Sequence, residues 1–255
     1  TPVGTLPGMT PEQQAEYLTH VRADSIVRDA EALRRALGVE RWSILGQSFG
    51  GFCAATYLSI APSGLHEAFF TGGLPPVDRN IDDVYRLTYE RVLERCRRYY
   101  ARYPGDRTRV RDIVARLDAE DVRLPSGDRL TPARFRQLGS KLGMSDGAEA
   151  LHYIVERDLD SPGFLHDVEQ ATTFGRNPLY AIVHEACYAD GIATNWSAER
   201  LLPAPYEDPT QLTGEHIFPW MFDDEAALTP MREAAHMLAA HEWPRLYDAQ
   251  QLDQL

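Results

Sequence analysis

Trp42-Ser43-Ile44-Leu45-Gly46-Gln47-Ser48-Phe49-Gly50-Gly51 decides the fold class. The first half reads as a short buried strand, the second as a sharp turn entering a helix. Gly46-Gln47-Ser48-Phe49-Gly50 fits the pattern Gly-x-Ser-x-Gly, the nucleophile elbow, with a serine at the tip of a strand-to-helix turn. The reason for these residue types is steric. The serine takes a strained backbone conformation, and side chains two residues to either side would hold strand and helix apart. The turn lifts the hydroxyl out of the sheet and aims a helix N-terminus at it, where the N–H of Phe49 can hold a developing oxyanion. Ser48 is the candidate nucleophile and Phe49 the candidate oxyanion-hole donor. Five residues with two glycines also recur by chance, and the alternative is a tight turn with a structural serine. The context favours the nucleophile: Phe52-Cys53-Ala54-Ala55-Thr56-Tyr57-Leu58 is an apolar helical run of small residues, stopped by Pro62.

Outward from the elbow, Thr10-Pro11-Glu12-Gln13 predicts a helix start, with Thr10 as N-cap, Pro11 in the first turn and Gln13 completing a capping box. An apolar stripe of Ile26, Val27, Ala30, Leu33 and Leu37 follows and stops at Gly38. Beyond the elbow, Ala68-Phe69-Phe70-Thr71 reads as a second buried strand, closed by Gly72-Gly73-Leu74-Pro75-Pro76. Residues 10–76 therefore alternate helix, strand, helix, strand, the α/β pattern with parallel strands. From Asp78 the character changes. A long charged helix is predicted over 79–103, another over 106–120, a turn over 122–130 around Gly127, and helices near 132–141, 146–157, 162–173, 177–189 and 229–241. No alternating strand pattern stands out from 131 onward. The predicted organisation is a partial sheet-bearing core over 1–77 and a helical cap over 78–255, roofing the serine.

At 255 residues and 44% hydrophobic, the chain can bury a sizeable core. Its formal net charge of -12 argues against nucleic-acid and anionic-membrane partners and weakly favours a cationic substrate. Cys53, Cys96 and Cys187 give neither a disulfide framework nor paired metal-ligand spacing, so a reducing cytoplasm is the default expectation, with Cys53 a core residue. No run of about 18 apolar residues predicts a membrane span. There is no His-Glu-x-x-His, no close His/Asp cluster, no phosphate loop and no dinucleotide fingerprint, so neither a metal nor a cofactor is expected.

Several stretches together resemble the proline iminopeptidase family (prolyl aminopeptidases): Gly46–Gly51, Gly72–Pro76, His184-Glu185-Ala186-Cys187-Tyr188, Asn195-Trp196-Ser197-Ala198-Glu199-Arg200 and Gly214-Glu215-His216-Ile217-Phe218-Pro219-Trp220-Met221-Phe222. These are serine peptidases with an α/β-hydrolase fold and a helical cap. The resemblance covers nearly the whole chain. The elbow is shared with many esterases and lipases; the last two stretches are far more specific. The resemblance implies a serine exopeptidase that releases N-terminal proline from small peptides, with cap carboxylates holding the free amino end. Ser48 matches the nucleophile, and Glu185 and Glu215 match the amine-binding glutamates. The chemistry agrees, because an N-terminal prolyl group carries a secondary ammonium that two carboxylates in a water-poor pocket would pin. Glu185 as an ordinary solvated carboxylate and Glu215 as a helix-start residue are the alternatives. Trp196, Phe218, Trp220 and Phe222 either wall the pyrrolidine ring or, as most such residues do, fill the cap core.

A serine hydroxyl is a weak nucleophile without a base. In α/β-hydrolases the order is serine, acid, histidine, the latter two on loops after later strands. Of the histidines after the elbow, His66, His152, His166, His184, His216, His236 and His241, none has that setting; His216 stands beside Glu215 but follows no strand. The expectation is that the family's glycine-rich oxyanion loop lies before Thr1 and its catalytic Asp and His beyond Leu255. The chain then reads as an internal part of a longer protein, with open strand edges and no hydrolysis by itself. Two other readings compete. An esterase- or lipase-type enzyme would use the same elbow without needing Glu185 and Glu215, and a helical binding module would not turn over.

Overall fold

The computed structural model describes residues 6–254. In chain order the helices and strands are α1 (Pro11–Leu18), α2 (Ala23–Ala36), β1 (Trp42–Gly46), α3 (Phe49–Ile60), β2 (Leu65–Phe70), α4 (Ile81–Arg102), α5 (Asp106–Ala119), α6 (Pro132–Arg136), α7 (Gly147–Val155), α8 (Pro162–Thr172), α9 (Pro178–Ile182), α10 (Ser197–Arg200), α11 (Met221–Asp224), α12 (Arg232–Ala240) and α13 (Ala249–Leu252). Among the described residues β1 and β2 form one two-stranded parallel sheet, Gly46 opposite Phe70. α3 supplies the crossover that a parallel pair requires. Each strand has one unpaired edge there, and Leu45 and Phe69 are exposed. No described helix is long and apolar enough to cross a membrane.

The chain divides into two compact units. One holds the described residues up to Val84, Ile182–Asn195 and those from Glu233 on; the other holds Tyr85–Ala181 and Trp196–Arg232. This differs from a single break at 77/78, and the reason lies in how the first unit is packed. Arg22 is buried and donates to the carbonyls of Ala189 at 2.8 Å and Pro244 at 2.7 Å, with its guanidinium over the Trp243 ring. Asp190 accepts from the N–H of Leu246 at 2.6 Å. Ala23, Phe52, Ala55, Leu246 and Tyr247 share one apolar cluster, edged by Tyr188 and Leu252. These anchors return two later segments to the elbow-bearing residues, a long-range pairing that composition does not reveal.

Within that unit α1 opens on the predicted capping box: Gln13 N–H donates to Thr10 Oγ1, and Thr10 N–H to Gln13 Oε1. The stripe of α2 is realised in part. Val27 packs with Tyr57 and Leu65, with Ala30 beside them, whereas Ile26, Leu33 and Leu37 are exposed. Ala23, Val27 and Glu31, at i, i+4 and i+8, line the buried face. Glu31 is tolerated there because Arg34 and Tyr57 satisfy its carboxylate.

In the second unit α4 from Tyr85 on and α5 to α8 surround a core that includes Tyr99, Leu117, Leu130, Phe135, Leu151 and Phe164. The 106–120 helix is α5. The segments near 132–141, 146–157 and 162–173 form α6 with a following 3-10 turn, α7 and α8. The 122–130 turn closes through the Leu130 N–H to Val122 O bond, 2.9 Å. Asp106, fully buried, accepts from the Tyr99 hydroxyl at 2.5 Å and Arg109 at 2.7 Å, and lies 2.8 Å from His152 Nδ1. Phe218 and Phe222 are core residues of this unit, with the Trp196 ring against Phe222.

Candidate active site

β1 ends at Gly46 and α3 begins at Phe49, so two residues make the turn between them. Ser48 has φ 52° and ψ −120°, a conformation a β-carbon strains. Its carbonyl accepts from the Gly51 N–H and that of Gln47 from the Gly50 N–H, both at 2.8 Å. Backbone crowding holds the strain in place. A β-carbon on Gly46 would stand 2.2 Å from Gly50 O, and one on Gly51 would stand 2.3 Å from Gly73 O. Gly73 has φ +72°, and a β-carbon there would lie 1.7 Å from Ser48 O. The chain leaving β2 therefore presses its backbone onto the serine. At Gly50 a β-carbon would meet nothing within 4 Å beyond its neighbours and its own helix backbone. The steric demand read from the motif holds at Gly46, but on the far side it falls on Gly51 and Gly73 rather than Gly50. The Gly72-Gly73 pair was the available signal.

The Ser48 residue is exposed. The N–H of Phe49, first in α3, has no acceptor within the helix and sits at the positive end of its dipole. In the second unit His152 Nδ1 lies 2.8 Å from Asp106 and His216 Nδ1 accepts from the Gly214 N–H. Burial pushes the Cys53 thiol up to about 11 and the Cys187 thiol up to about 12, which removes both as nucleophiles near neutral pH.

Glu185 lies in the 3-10 turn Glu185–Cys187 and is 7% exposed. The solvated-carboxylate alternative is therefore not what the fold contains. This residue belongs to the same compact unit as Ser48, not to the cap expected from sequence. Tyr188, whose N–H donates to Glu185 O at 3.0 Å, sets its ring edge-on to Phe52 of α3 at 5.6 Å.

Glu215 belongs to the second unit. It is exposed and lines a cavity of about 120 Å³ with Gln137, Thr172, Phe174, Tyr180 and Ile217. The nearest helix downstream, α11, begins only at Met221, so Glu215 is not a helix-start residue. Its loop is pinned from below. The Thr213 N–H donates to Arg136 O at 2.9 Å, Gly214 N–H donates to His216 Nδ1 at 3.2 Å, and the His216 ring stacks on Tyr89 at 4.2 Å. A β-carbon at Gly214 would stand 2.5 Å from a Val92 methyl, so any side chain there would have to displace Val92. The Tyr180 hydroxyl donates to Glu215 Oε1. Sequence reading missed Tyr180 and Phe174; the signal was an aromatic pair six residues apart around the turn Phe174-Gly175-Arg176-Asn177.

Residues 5–182 match the model of a family described as the alpha/beta hydrolase fold. The chain is 46% identical over 256 residues to the proline iminopeptidase of Aeromonas sobria, an alignment covering 96% of this chain and 60% of that protein. It is 36% identical over 262 residues to the proline iminopeptidase aneH of Aspergillus aculeatus, covering 94% of this chain and 58% of that one. The chain thus spans about 60% of the length of these relatives. The family match takes in β1, the elbow, α3 and β2, the elements that build the strained serine turn. The chain belongs to the α/β-hydrolase fold family.

Proposed function

We propose that the protein is a prolyl aminopeptidase-like serine hydrolase that releases proline from the N-terminus of peptides. The observation that carries this reading is the strained Ser48 turn, locked by Gly46, Gly51 and Gly73, in a chain similar to two proline iminopeptidases. In this proposal Ser48 Oγ gives its proton to a general base and attacks the prolyl carbonyl carbon. The carbonyl oxygen becomes an oxyanion facing the Phe49 N–H. Collapse of the tetrahedral intermediate breaks the C–N bond, the shortened peptide leaves as an amine after taking up the proton, and water then hydrolyses the prolyl ester of Ser48. Glu185 and Glu215 are the carboxylates proposed for the substrate's ammonium.

The test uses the full-length protein and L-proline anilide. Ser48→Ala lowers kcat/KM at least about a thousandfold with the fold intact by circular dichroism. Glu185→Gln and Glu215→Gln each raise KM for the prolyl anilide while cleavage of a simple acyl ester is retained. Unchanged prolyl hydrolysis in Ser48→Ala would sink the assignment. Parallel loss of prolyl and ester cleavage in the glutamine variants would overturn the amine-binding role.

A further inference from the structure

The cavity beside Glu215 is built from the second unit alone, and its geometry says more than that a carboxylate is present. Glu215 is exposed, and a glutamate at a surface samples several rotamers at little cost. To hold an ammonium with directional preference, the carboxylate must be fixed before the ligand arrives. The backbone of its loop is already fixed, through Thr213 N–H to Arg136 O, through the close approach of Gly139 to Thr213 O, and through Gly214 against Val92. The side chain has one further constraint: the Tyr180 hydroxyl, which donates to Oε1.

Tyr180 is itself held. The turn after α8 closes through Asn177 N–H to Phe174 O at 2.9 Å, and Tyr180 N–H donates to Asn177 O at 3.1 Å. That turn folds the Tyr180 ring back over Phe174, centroids 6.2 Å apart and planes 14° from parallel. Both rings line the cavity with Glu215. The hydroxyl is therefore delivered to the carboxylate by a stacked pair rather than by a freely rotating side chain.

We propose that Tyr180 is the positioning residue for Glu215: its phenol, braced on Phe174, orients the carboxylate toward the ammonium of the prolyl substrate. This rests on the amine-binding role given to Glu215 above. Bonding one lobe of Oε1 to the phenol leaves Oε2 and the remaining lone pairs for the two N–H donors of a secondary ammonium. As substrate displaces water from the rim, the charge-assisted bond strengthens, so its value is realised in binding.

The experiment is a double-variant cycle in the full-length protein with L-proline anilide. Tyr180→Phe removes the hydroxyl and keeps the ring on Phe174. It is expected to raise KM about three- to tenfold with kcat within twofold. In the Glu215→Gln background, the same change is expected to leave kcat/KM within twofold, because the phenol then has no carboxylate to orient. A KM within twofold of the parent in Tyr180→Phe, with Glu215→Gln strongly impaired, overturns the positioning role while leaving the amine-binding reading intact. An equal loss from Tyr180→Phe in both backgrounds also overturns it, since that is what a purely structural role gives. If Glu215→Gln alone leaves KM unchanged, the amine-binding reading fails and the positioning role falls with it.

Discussion

At Ser48 the carbonyl, not the hydroxyl, explains why the turn is rigid. It accepts from Gly51 and is overlain by Gly73, whose φ of +72° and missing β-carbon let the chain after β2 close on it. Two substitutions separate this from the motif alone. Gly73→Ala is expected to cost about 2–4 kcal/mol, from the left-handed backbone and the collision with Ser48 O together. Gly50→Ala meets open space in the first turn of α3 and is expected to change stability by less than about 1 kcal/mol. Urea denaturation of both variants checks the contrast. Equal destabilisation would show that the turn demands no more of Gly73 than of Gly50 and would overturn the contrast.

Among the elements, α2, α3 and β1 are tied by one carboxylate. Glu31 accepts from Arg34 at 2.7 and 2.8 Å and from the Tyr57 hydroxyl of α3 at 2.5 Å; Tyr57 in turn accepts from Trp42 Nε1 of β1 at 2.9 Å. The Arg34 bonds, assisted by Tyr57 and opposed by burial, hold the Glu31 carboxyl at about 2, well below its ordinary 4.5. Between those values the unfolded chain binds the proton and the folded one does not. The contribution is therefore complete above pH 4.5 and is lost as pH falls through about 2. Glu31→Gln is expected to lower the Tm at pH 7 and to flatten the fall in stability between pH 4.5 and 2. Acid titration followed by intrinsic tryptophan fluorescence measures it; an unchanged acid slope would exclude Glu31 as the linked group.

Across the whole molecule the second unit carries the opposite linkage. Glu225 is 1% exposed, and among the described residues neither carboxylate oxygen accepts a hydrogen bond; the Arg134 guanidinium, itself bonded to Asp128 at 2.8 Å, stands 3.9 Å away. Burial pushes its carboxyl up to about 7, with Asp128 and Asp224 adding to the rise and Arg134 opposing it. Here the folded state binds the proton more tightly. Its contribution is complete below pH 4.5 and is lost as pH rises through about 7. Glu225→Gln is expected to stabilise the protein by about 2 kcal/mol at pH 8 and to have little effect at pH 4. Chemical denaturation at both pH values tests this, and hydrogen exchange in α6 and α11 assigns the gain to the second unit. A loss at pH 8 would mean that the Arg134 pair outweighs the burial of the charge.

Local signals carried a large part of this fold. The capping box at Thr10, the strand–turn–helix around Ser48, and the helical pattern beyond Asp78 follow from short-range sterics and periodicity, which act within a few residues and leave a mark in the sequence. The family motifs likewise named Ser48, Glu185 and Glu215 as candidates. The tertiary structure alone decided that Ile182–Asn195 and the residues from Glu233 on pack with the elbow, that Gly73 rather than Gly50 crowds the serine, and that Tyr180 reaches Glu215. Each of these joins residues between 25 and about 220 positions apart. Such pairings are set by which buried groups find partners in three dimensions, and no local pattern records them.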